Sequence, residues 1–266
     1  MPSARSDDSS GPDFDTAVFD DPPGFLPPDP VGKTVTFVRE EPRKCCSVTQ
    51  LVLELAPKHS LWAQELWNAS IFLARRIDAG QLSVEGRRVL ELGSGAGLPT
   101  LIAALNGAAV AVATDYATES DMTLLRPLQA NASWLNEHGC GSCCEVTVLP
   151  HIWGEDTVPL LAVSSSYDDI FCADLLFNRH CHTQLLRSLH ACLATGPDAT
   201  VHVTFSHHDP LKAPLDLAFF KLAEQRFRVQ HVCDFSFPRD VFIENDGLDD
   251  QRAVVHYYTL TLLMNV

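Results

Sequence analysis

The sequence predicts an α/β fold of three layers, in which helices cover both faces of a mainly parallel, seven-stranded sheet whose last strand is antiparallel. Two observations carry this prediction. From residue 87 onward, short apolar runs alternate with segments of helical spacing, which is typical of parallel strands joined by helices. The last two apolar runs, 228–237 and 253–264, have no long helix between them, so they predict a closing hairpin.

The predicted elements follow in a regular order. Two strands at 33–38 and 47–56, and a helix over 60–80 that ends at Gly80, form a small N-terminal β/helical extension before the sheet. In the alternating region a helix follows every strand except the third, after which we expect a short linker. The strands are predicted at 87–93, 109–116, 143–153, 167–176 and 199–206, and the helices at 98–107, 121–139, 180–194 and 214–226.

The chain divides into two regions by composition. Residues 1–30 contain seven aspartates, seven prolines and a single arginine, without apolar periodicity, which predicts a flexible acidic tail. The remaining residues, 31–266, are predicted to form a single domain. The chain has 266 residues, 46% of them apolar, which is enough for one large core.

Charge and composition limit the possible partners. The net charge of −15 disfavours nucleic acid and favours a basic partner. No run of 18 apolar residues predicts a membrane span, and no secretory signal opens the sequence. The nine cysteines are odd in number and several lie in apolar runs, which indicates reduced thiols. We therefore expect a cytoplasmic protein, and a monomer.

A glycine-rich loop follows the first strand of the alternating region and precedes a helix, the context that a nucleotide-binding loop requires. It contains Gly93, Gly95 and Gly97. Glycines let a ligand approach the backbone, and a helix start offers free N–H groups. Leu98 stands where a dinucleotide-binding fingerprint has its third glycine, which disfavours a dehydrogenase. Asp115 ends the next strand, where its carboxylate can accept hydrogen bonds from a ribose.

The pattern E-x-G-x-G-x-G, which begins at Glu91, resembles the class I, seven-β-strand methyltransferases that depend on S-adenosyl-L-methionine and have a Rossmann-like fold. The resemblance extends from about Leu61 to the end of the sequence. The motifs LWNASIFLA, LELGSGAGLP, TDY, IWG, ADLLFN and FSHH occur in this order and are similar to the methyltransferase-16 group of protein methyltransferases. Within it, the likeness is greatest to enzymes that methylate the N-terminus and adjacent lysine of translation elongation factor one-alpha, some of which have been labelled nicotinamide N-methyltransferase-like.

This resemblance implies S-adenosyl-L-methionine as the cofactor and a basic protein as the substrate, with elongation factor one-alpha as the leading candidate. An indole such as that of Trp153, at the end of the third strand, can pack on adenine. Trp67 can close the methionine end, although core packing also explains it. The cofactor-binding residues implied are Trp67, Glu91, Gly93, Ser94, Gly95, Asp115, Tyr116, Trp153 and Ala173.

Three residues are candidates for the chemistry. Asp174 and Phe177 match the D-x-x-F/Y motif of these methyltransferases and follow the fourth strand at its carboxyl end, where open α/β sheets bind ligands. Asp174 can orient an amine, and Phe177 can line its channel. His207 and His208 both follow the fifth strand, where one of them can relay a proton, and His207 is taken as the candidate. An N-cap role for Asp174 and solvent-exposed histidines are the structural alternatives.

Other readings of the motifs remain open. Cys140 and Cys143 form one C-x-x-C pair, but no second pair completes a zinc site, so no metal is expected. A small-molecule amine methyltransferase acting on a nicotinamide-type substrate is the main enzymatic alternative. A catalytically silent module that binds the cofactor without turnover is an alternative of another class.

Overall fold

The computed structural model describes residues 32–40, 47–139, 143–237 and 246–263. The predicted tail, residues 1–30, lies outside this range. The strands are β1 (Thr34–Val38), β2 (Gln50–Glu54), β3 (Arg88–Leu92), β4 (Val110–Asp115), β5 (Val146–Pro150), β6 (Asp169–Ala173), β7 (Thr200–Phe205), β8 (Phe227–Ser236) and β9 (Val254–Leu262). The helices are α1 (Asn68–Asp78), α2 (Leu98–Leu105), α3 (Leu125–His138), α4 (Val158–Val163), α5 (His182–Cys192), α6 (Ala213–Ala223) and α7 (Asp249–Arg252).

Seven strands form one sheet in the order β5-β4-β3-β6-β7-β9-β8. The first five of these pair in parallel, and β9 pairs antiparallel with both β7 and β8. The prediction of a mainly parallel, seven-stranded sheet with an antiparallel last strand is therefore confirmed. The last strand lies inside the sheet, between its two neighbours, and not at the edge.

Helices cover both faces of the sheet because the buried strands alternate their side chains between two cores. Val89 of β3 joins the core that holds α2 and α3, whereas its neighbour Leu90 joins the core that holds α5 and α6. Alternation of this kind is the period-2 geometry of a strand that is buried on both faces. It produces the three layers that the sequence predicts.

The N-terminal extension is a two-stranded antiparallel sheet of β1 and β2. A buried ion pair attaches it to the domain: Nη2 and Nε of Arg39 lie 2.6 and 2.9 Å from Oδ1 of Asp78, at the end of α1. The helix predicted over 60–80 begins only at Asn68. Trp62 has a φ of +62°, in the left-handed region, and a right-handed helix cannot run through such a residue.

The linker predicted after the third strand contains α4, and the connection between β8 and β9 contains α7. Both helices are too short for apolar periodicity to reveal them. In the described parts of the chain, no helix has the length and apolar character needed to cross a membrane.

Candidate active site

A cavity of about 280 Å³ opens at the carboxyl ends of the parallel strands. Loops that follow β3, β4, β5 and β6 line it, together with the segment that precedes α1. In open α/β sheets this edge is where ligands bind, because the loops of neighbouring strands converge there. The predicted site residues that line the cavity are Trp67, Gly93, Ser94, Gly95, Asp115, Tyr116, Trp153, Ala173, Asp174 and Phe177.

The glycine loop has the backbone conformation that its composition suggests. Gly93, Gly95 and Gly97 have φ angles of +61°, +54° and +78°, which glycine adopts without strain. A Cβ atom on Gly93 would lie 2.7 Å from Cδ2 of Leu175 and 3.1 Å from Cζ2 of Trp153. This position therefore requires glycine for two reasons. Its φ angle lies in the left-handed region, and two side chains that line the cavity leave no room for a Cβ atom.

Asp115 presents a carboxylate to the cavity while the loop holds it from behind. Its Oδ2 accepts a hydrogen bond from the N–H of Gly95, and its Oδ1 accepts one from the N–H of Tyr116, both at 2.7 Å. Burial raises the pKa of Asp115 to about 6, although these hydrogen bonds act against the shift. The remaining lone pairs of this carboxylate can accept hydroxyl protons from a ligand.

Glu91 was predicted to bind the cofactor, but the structure places it elsewhere. Its side chain is buried beneath the loop, outside the residues that line the cavity. Oε2 accepts hydrogen bonds from the N–H and the hydroxyl of Thr100, at 3.0 and 2.5 Å, in the first turn of α2. Burial raises the pKa of Glu91 to about 8, although the bonds from Thr100 oppose the shift. Glu91 therefore anchors α2.

The raised pKa of Glu91 predicts a pH-dependent stability. A carboxyl that is neutral in the folded state and ionised in the unfolded state destabilises the fold as pH rises from about 4.5 to about 8. Relative to Glu91→Gln, which stays neutral, the wild type is expected to lose about 4 kcal/mol of unfolding free energy over this range. Chemical denaturation at several pH values measures it, with Glu137→Gln, at an exposed position of α3, as the matched control. Parallel pH profiles of the wild type and Glu91→Gln would contradict the assignment.

Asp174 directly follows β6 and is held in a strained conformation. Its φ is +62°, in the left-handed region that aspartate tolerates better than most residues. Oδ1 accepts a hydrogen bond of 3.2 Å from the N–H of Ser206, and Oδ2 lies 3.1 Å from Nε2 of His208. Asp174 lines the cavity although it is only 4% exposed, so bulk water has little access to its carboxylate.

The two histidines after β7 have different partners in the structure. His207, predicted to relay a proton, does not line the cavity, and its Nδ1 lies 2.8 Å from Oδ2 of the buried Asp216. His208 does not line the cavity either, but its Nε2 contacts Asp174, which does. Adjacent residues point in different directions where a strand gives way to a loop, and the sequence carries no period there that distinguishes them.

Aromatic rings pack against His208, the partner of Asp174. The ring of His208 stacks on Trp67 and on Phe177, with centroid distances of 4.7 and 5.5 Å. The indole nitrogen of Trp67 donates a hydrogen bond of 2.9 Å to the carbonyl of Trp62. Trp67 and Phe177 thus line the cavity and pack against the partner of Asp174 at the same time.

Several lining residues were not predicted from the sequence, among them Leu61, Trp62, Ile152, Asn178 and Cys181. No motif marks them, but most lie within a few residues of a predicted site residue. Among the described residues, no group of three or more histidine, cysteine or acidic side chains is arranged to hold a metal ion. Cys140, one half of the C-x-x-C pair, lies outside the described residues.

The arrangement suits recognition of a nucleoside and a cation in one cavity. Asp115 offers acceptors for hydroxyl groups, the aromatic residues Tyr116 and Trp153 offer apolar surface, and Asp174 offers a desolvated carboxylate. A carboxylate enclosed by aromatic rings attracts an ammonium group by charge and by cation–π contact.

Comparison with protein families and curated proteins gives clear matches. The family model for methyltransferase-16, described as lysine methyltransferase, matches residues 50–226. The chain is similar to the protein N-terminal and lysine N-methyltransferase efm7 of Schizosaccharomyces pombe, with 32% identity over 251 residues, covering 92% of this chain and 94% of the relative. The enzyme of the same description, EFM7, from Debaryomyces hansenii is 34% identical over 259 residues and is covered to 96%.

Solved structures share the fold at low sequence identity. The RNA methyltransferase candidate PH1948 of Pyrococcus horikoshii aligns with a TM-score of 0.53 and 17% identity, over 80% of this chain and 92% of its own. The methyltransferase candidate SMU.776, solved in complex with SAH, aligns with a TM-score of 0.50 and 12% identity, over 79% of this chain and 54% of its own. These likenesses establish the architecture.

Proposed function

Because this chain belongs to the lysine methyltransferase family, methyltransferase-16, we propose that it methylates the N-terminus and a nearby lysine of translation elongation factor one-alpha. The chain is a methyltransferase that uses S-adenosyl-L-methionine. Relatives described as protein N-terminal and lysine N-methyltransferases support a protein substrate. The resemblance of its motifs to the enzymes of the elongation factor supports the choice of substrate, as does the net charge of −15, which favours a basic partner.

The residues present fit the cofactor. The Asp115 carboxylate can accept hydrogen bonds from both ribose hydroxyls, and the loop at Gly93–Gly95 leaves its backbone open to the methionine moiety. Trp153 and Tyr116 can pack on adenine. When bound, the cofactor supplies a methyl group on a sulfonium, which is a good leaving group.

The protein's contribution to the chemistry is mainly positioning and charge. The carboxylate of Asp174 attracts the substrate ammonium into the cavity. Once the amine is neutral, the same carboxylate accepts a hydrogen bond from one of its N–H groups and so directs the lone pair. Phe177 and Trp67 exclude water from this point, which strengthens the interaction with Asp174.

The observation that carries this proposal is the position of Asp174, which is buried and lines the cavity together with the aromatic residues Trp67, Trp153 and Phe177. The test incubates the enzyme with labelled S-adenosyl-L-methionine and purified, unmethylated elongation factor one-alpha, followed by peptide mapping. Label in the N-terminal peptide is expected, and elongation factor with a blocked N-terminus serves as the control. No label in the N-terminal peptide, with label only elsewhere in the factor or only in nicotinamide added as a competing acceptor, would overturn the substrate assignment.

The proposal includes the setting of the activity. We expect the enzyme to act as a monomer in the cytoplasm, where elongation factors work. Sedimentation of the purified protein and imaging of a tagged chain in cells test these two points. A sedimentation coefficient of a stable dimer, or exclusion from the cytoplasm, would contradict them.

Cofactor affinity is expected to depend on pH through Asp115. Its pKa is raised to about 6, and only the ionised carboxylate can accept hydrogen bonds from both ribose hydroxyls. Affinity for S-adenosylhomocysteine should therefore be constant above about pH 7 and fall about tenfold as the pH is lowered to about 5. Calorimetric titration measures it. Asp115→Asn, which cannot ionise, should bind weakly without this pH dependence, and an unchanged slope in this variant would contradict the prediction.

A further inference from the structure

His208 connects the candidate catalytic carboxylate to the aromatic wall of the cavity. Its Nε2 lies 3.1 Å from Oδ2 of Asp174, and its ring stacks on Trp67 and Phe177. The side chains of Asp174 and His208 are 3% and 13% exposed. When a cation reaches Asp174 from the cavity, the carboxylate therefore already has an ionisable partner, the largely buried imidazole of His208.

The geometry defines which nitrogen of His208 titrates. As long as Asp174 is ionised, Nε2 of His208 must carry a hydrogen, because a bare nitrogen lone pair would face a carboxylate oxygen. The hydrogen bond to Asp174 is thus present in the neutral and in the cationic imidazole. The proton that His208 gains or loses is the one on Nδ1.

Charges around His208 favour its protonated form. Burial alone lowers the pKa of His208, but the charge of Asp174 and the hydrogen bond to it outweigh burial, so the pKa is raised. Asp216 acts in the same direction and Arg179 opposes it. Asp216 is itself bound by Arg179, at 2.7 Å, and by His207, at 2.8 Å, so among the described residues Asp174 is the main counter-charge of His208.

The segment before β9 holds His208 through its backbone. Nε of Arg252 donates a hydrogen bond of 3.1 Å to the main-chain carbonyl of His208. The guanidinium of Arg252 also binds Asp246 and Asp249, so its charge is balanced within this segment. Arg252 therefore fixes the position of His208 without competing with it for Asp174.

We propose that His208 is a positioning residue whose proton is the counter-charge of Asp174 until a substrate ammonium replaces it. Before binding, the carboxylate and the imidazolium carry a net charge of zero. When the ammonium arrives beside Asp174, the imidazole releases the proton of Nδ1 to solvent, and the net charge is again zero. No bond of the substrate changes in this step. The proposal rests on the proposed amine methylation but not on the identity of the substrate.

The test follows the titration of His208 by NMR of its ring C–H group, in the enzyme loaded with S-adenosylhomocysteine. His208→Gln assigns the signal, and His231→Gln, at an exposed histidine, is the matched control. In Asp174→Asn the titration midpoint is expected to fall by at least about one pH unit, a tenfold loss of proton affinity. A midpoint that stays unchanged in Asp174→Asn would overturn the proposal.

A small cation tests whether an ammonium group replaces the proton of His208. Butylammonium, a mimic of a lysine side chain, is expected to lower the midpoint of His208 as it saturates, whereas n-butanol leaves it unchanged. Binding of butylammonium without a shift, or no binding of it, contradicts the proposal. Since no protein substrate is used, failure to methylate elongation factor one-alpha leaves this result interpretable.

Kinetics distinguish this role from a merely structural one. His208→Gln keeps an amide that can donate to Asp174 but cannot titrate. With any amine that the enzyme turns over, this variant should lose the ionisation of His208 from the pH profile of kcat/KM. A structural role alone predicts a lower melting temperature and an unchanged profile, and that outcome would also overturn the proposal.

Discussion

Replacing Asp174 with asparagine is expected to lower kcat on the order of 1000-fold, while the affinity for S-adenosylhomocysteine changes by less than about threefold. The amide has nearly the same shape but lacks the charge that draws in an ammonium group. It can also turn its NH2 group toward the amine, where a donor opposes the required hydrogen bond. Asp174 is 4% exposed, so water cannot restore the lost charge.

Single-turnover methylation measures this effect, and calorimetry measures cofactor binding. The matched control is Asp156→Asn, which makes the same change at a surface position before α4 and should leave the rate unaltered. A rate within tenfold of the wild type in Asp174→Asn would exclude Asp174 as the residue that orients the amine. Loss of cofactor binding in this variant would instead assign Asp174 a role in building the cavity.

Replacing Gly93 with alanine is the second substitution with a large expected effect. The new methyl group would lie 2.7 Å from Leu175 and 3.1 Å from Trp153, in a backbone with a φ of +61°. The unfolding free energy should fall by about 3 kcal/mol, from the left-handed backbone and from overpacking. Cofactor affinity should fall roughly 100-fold, because both displaced side chains line the cavity.

Gly86→Ala provides the matched control for this substitution. Gly86 has a φ of +71°, but among the described residues other than its chain neighbours no atom lies within 4 Å of a Cβ built on it. This control therefore measures the effect of backbone strain alone. We expect Gly86→Ala to lower the unfolding free energy by about 1 kcal/mol and to leave cofactor affinity unchanged. Equal effects of the two alanines on affinity would show that contact with Leu175 and Trp153 is unimportant.

The sequence was most informative where regular structure or a motif is involved. Alternation of strands and helices predicted the parallel sheet, and the missing helix before the last strand predicted its reversal. Asp115 and Asp174 were predicted as site residues because Asp115 ends a buried strand and Asp174 directly follows one; the carboxyl ends of such strands meet at one edge, and both residues line the cavity there.

Predictions failed where the direction of a single side chain decided the outcome. Glu91 belongs to the glycine motif, yet its side chain accepts a hydrogen bond from Thr100 and does not line the cavity. No local sequence pattern encodes this tertiary contact. His207 and His208 are chemically identical neighbours, and only packing against Asp216 and Asp174 separates their roles. The early start predicted for α1 failed for a similar reason, since apolar spacing does not reveal the left-handed φ of Trp62.

The place of β9 between β7 and β8 has a consequence for how the enzyme is made. Strand β8 precedes β9 in the chain but reaches the sheet only through it. A nascent chain therefore cannot complete the sheet until residues up to Leu262 have been synthesised. Until then the backbone of β8 has no strand with which to pair. Contacts between distant segments form slowly, because loop closure must precede them. The last steps of folding should thus follow synthesis of β9, and a chaperone that shields β8 would act in this interval.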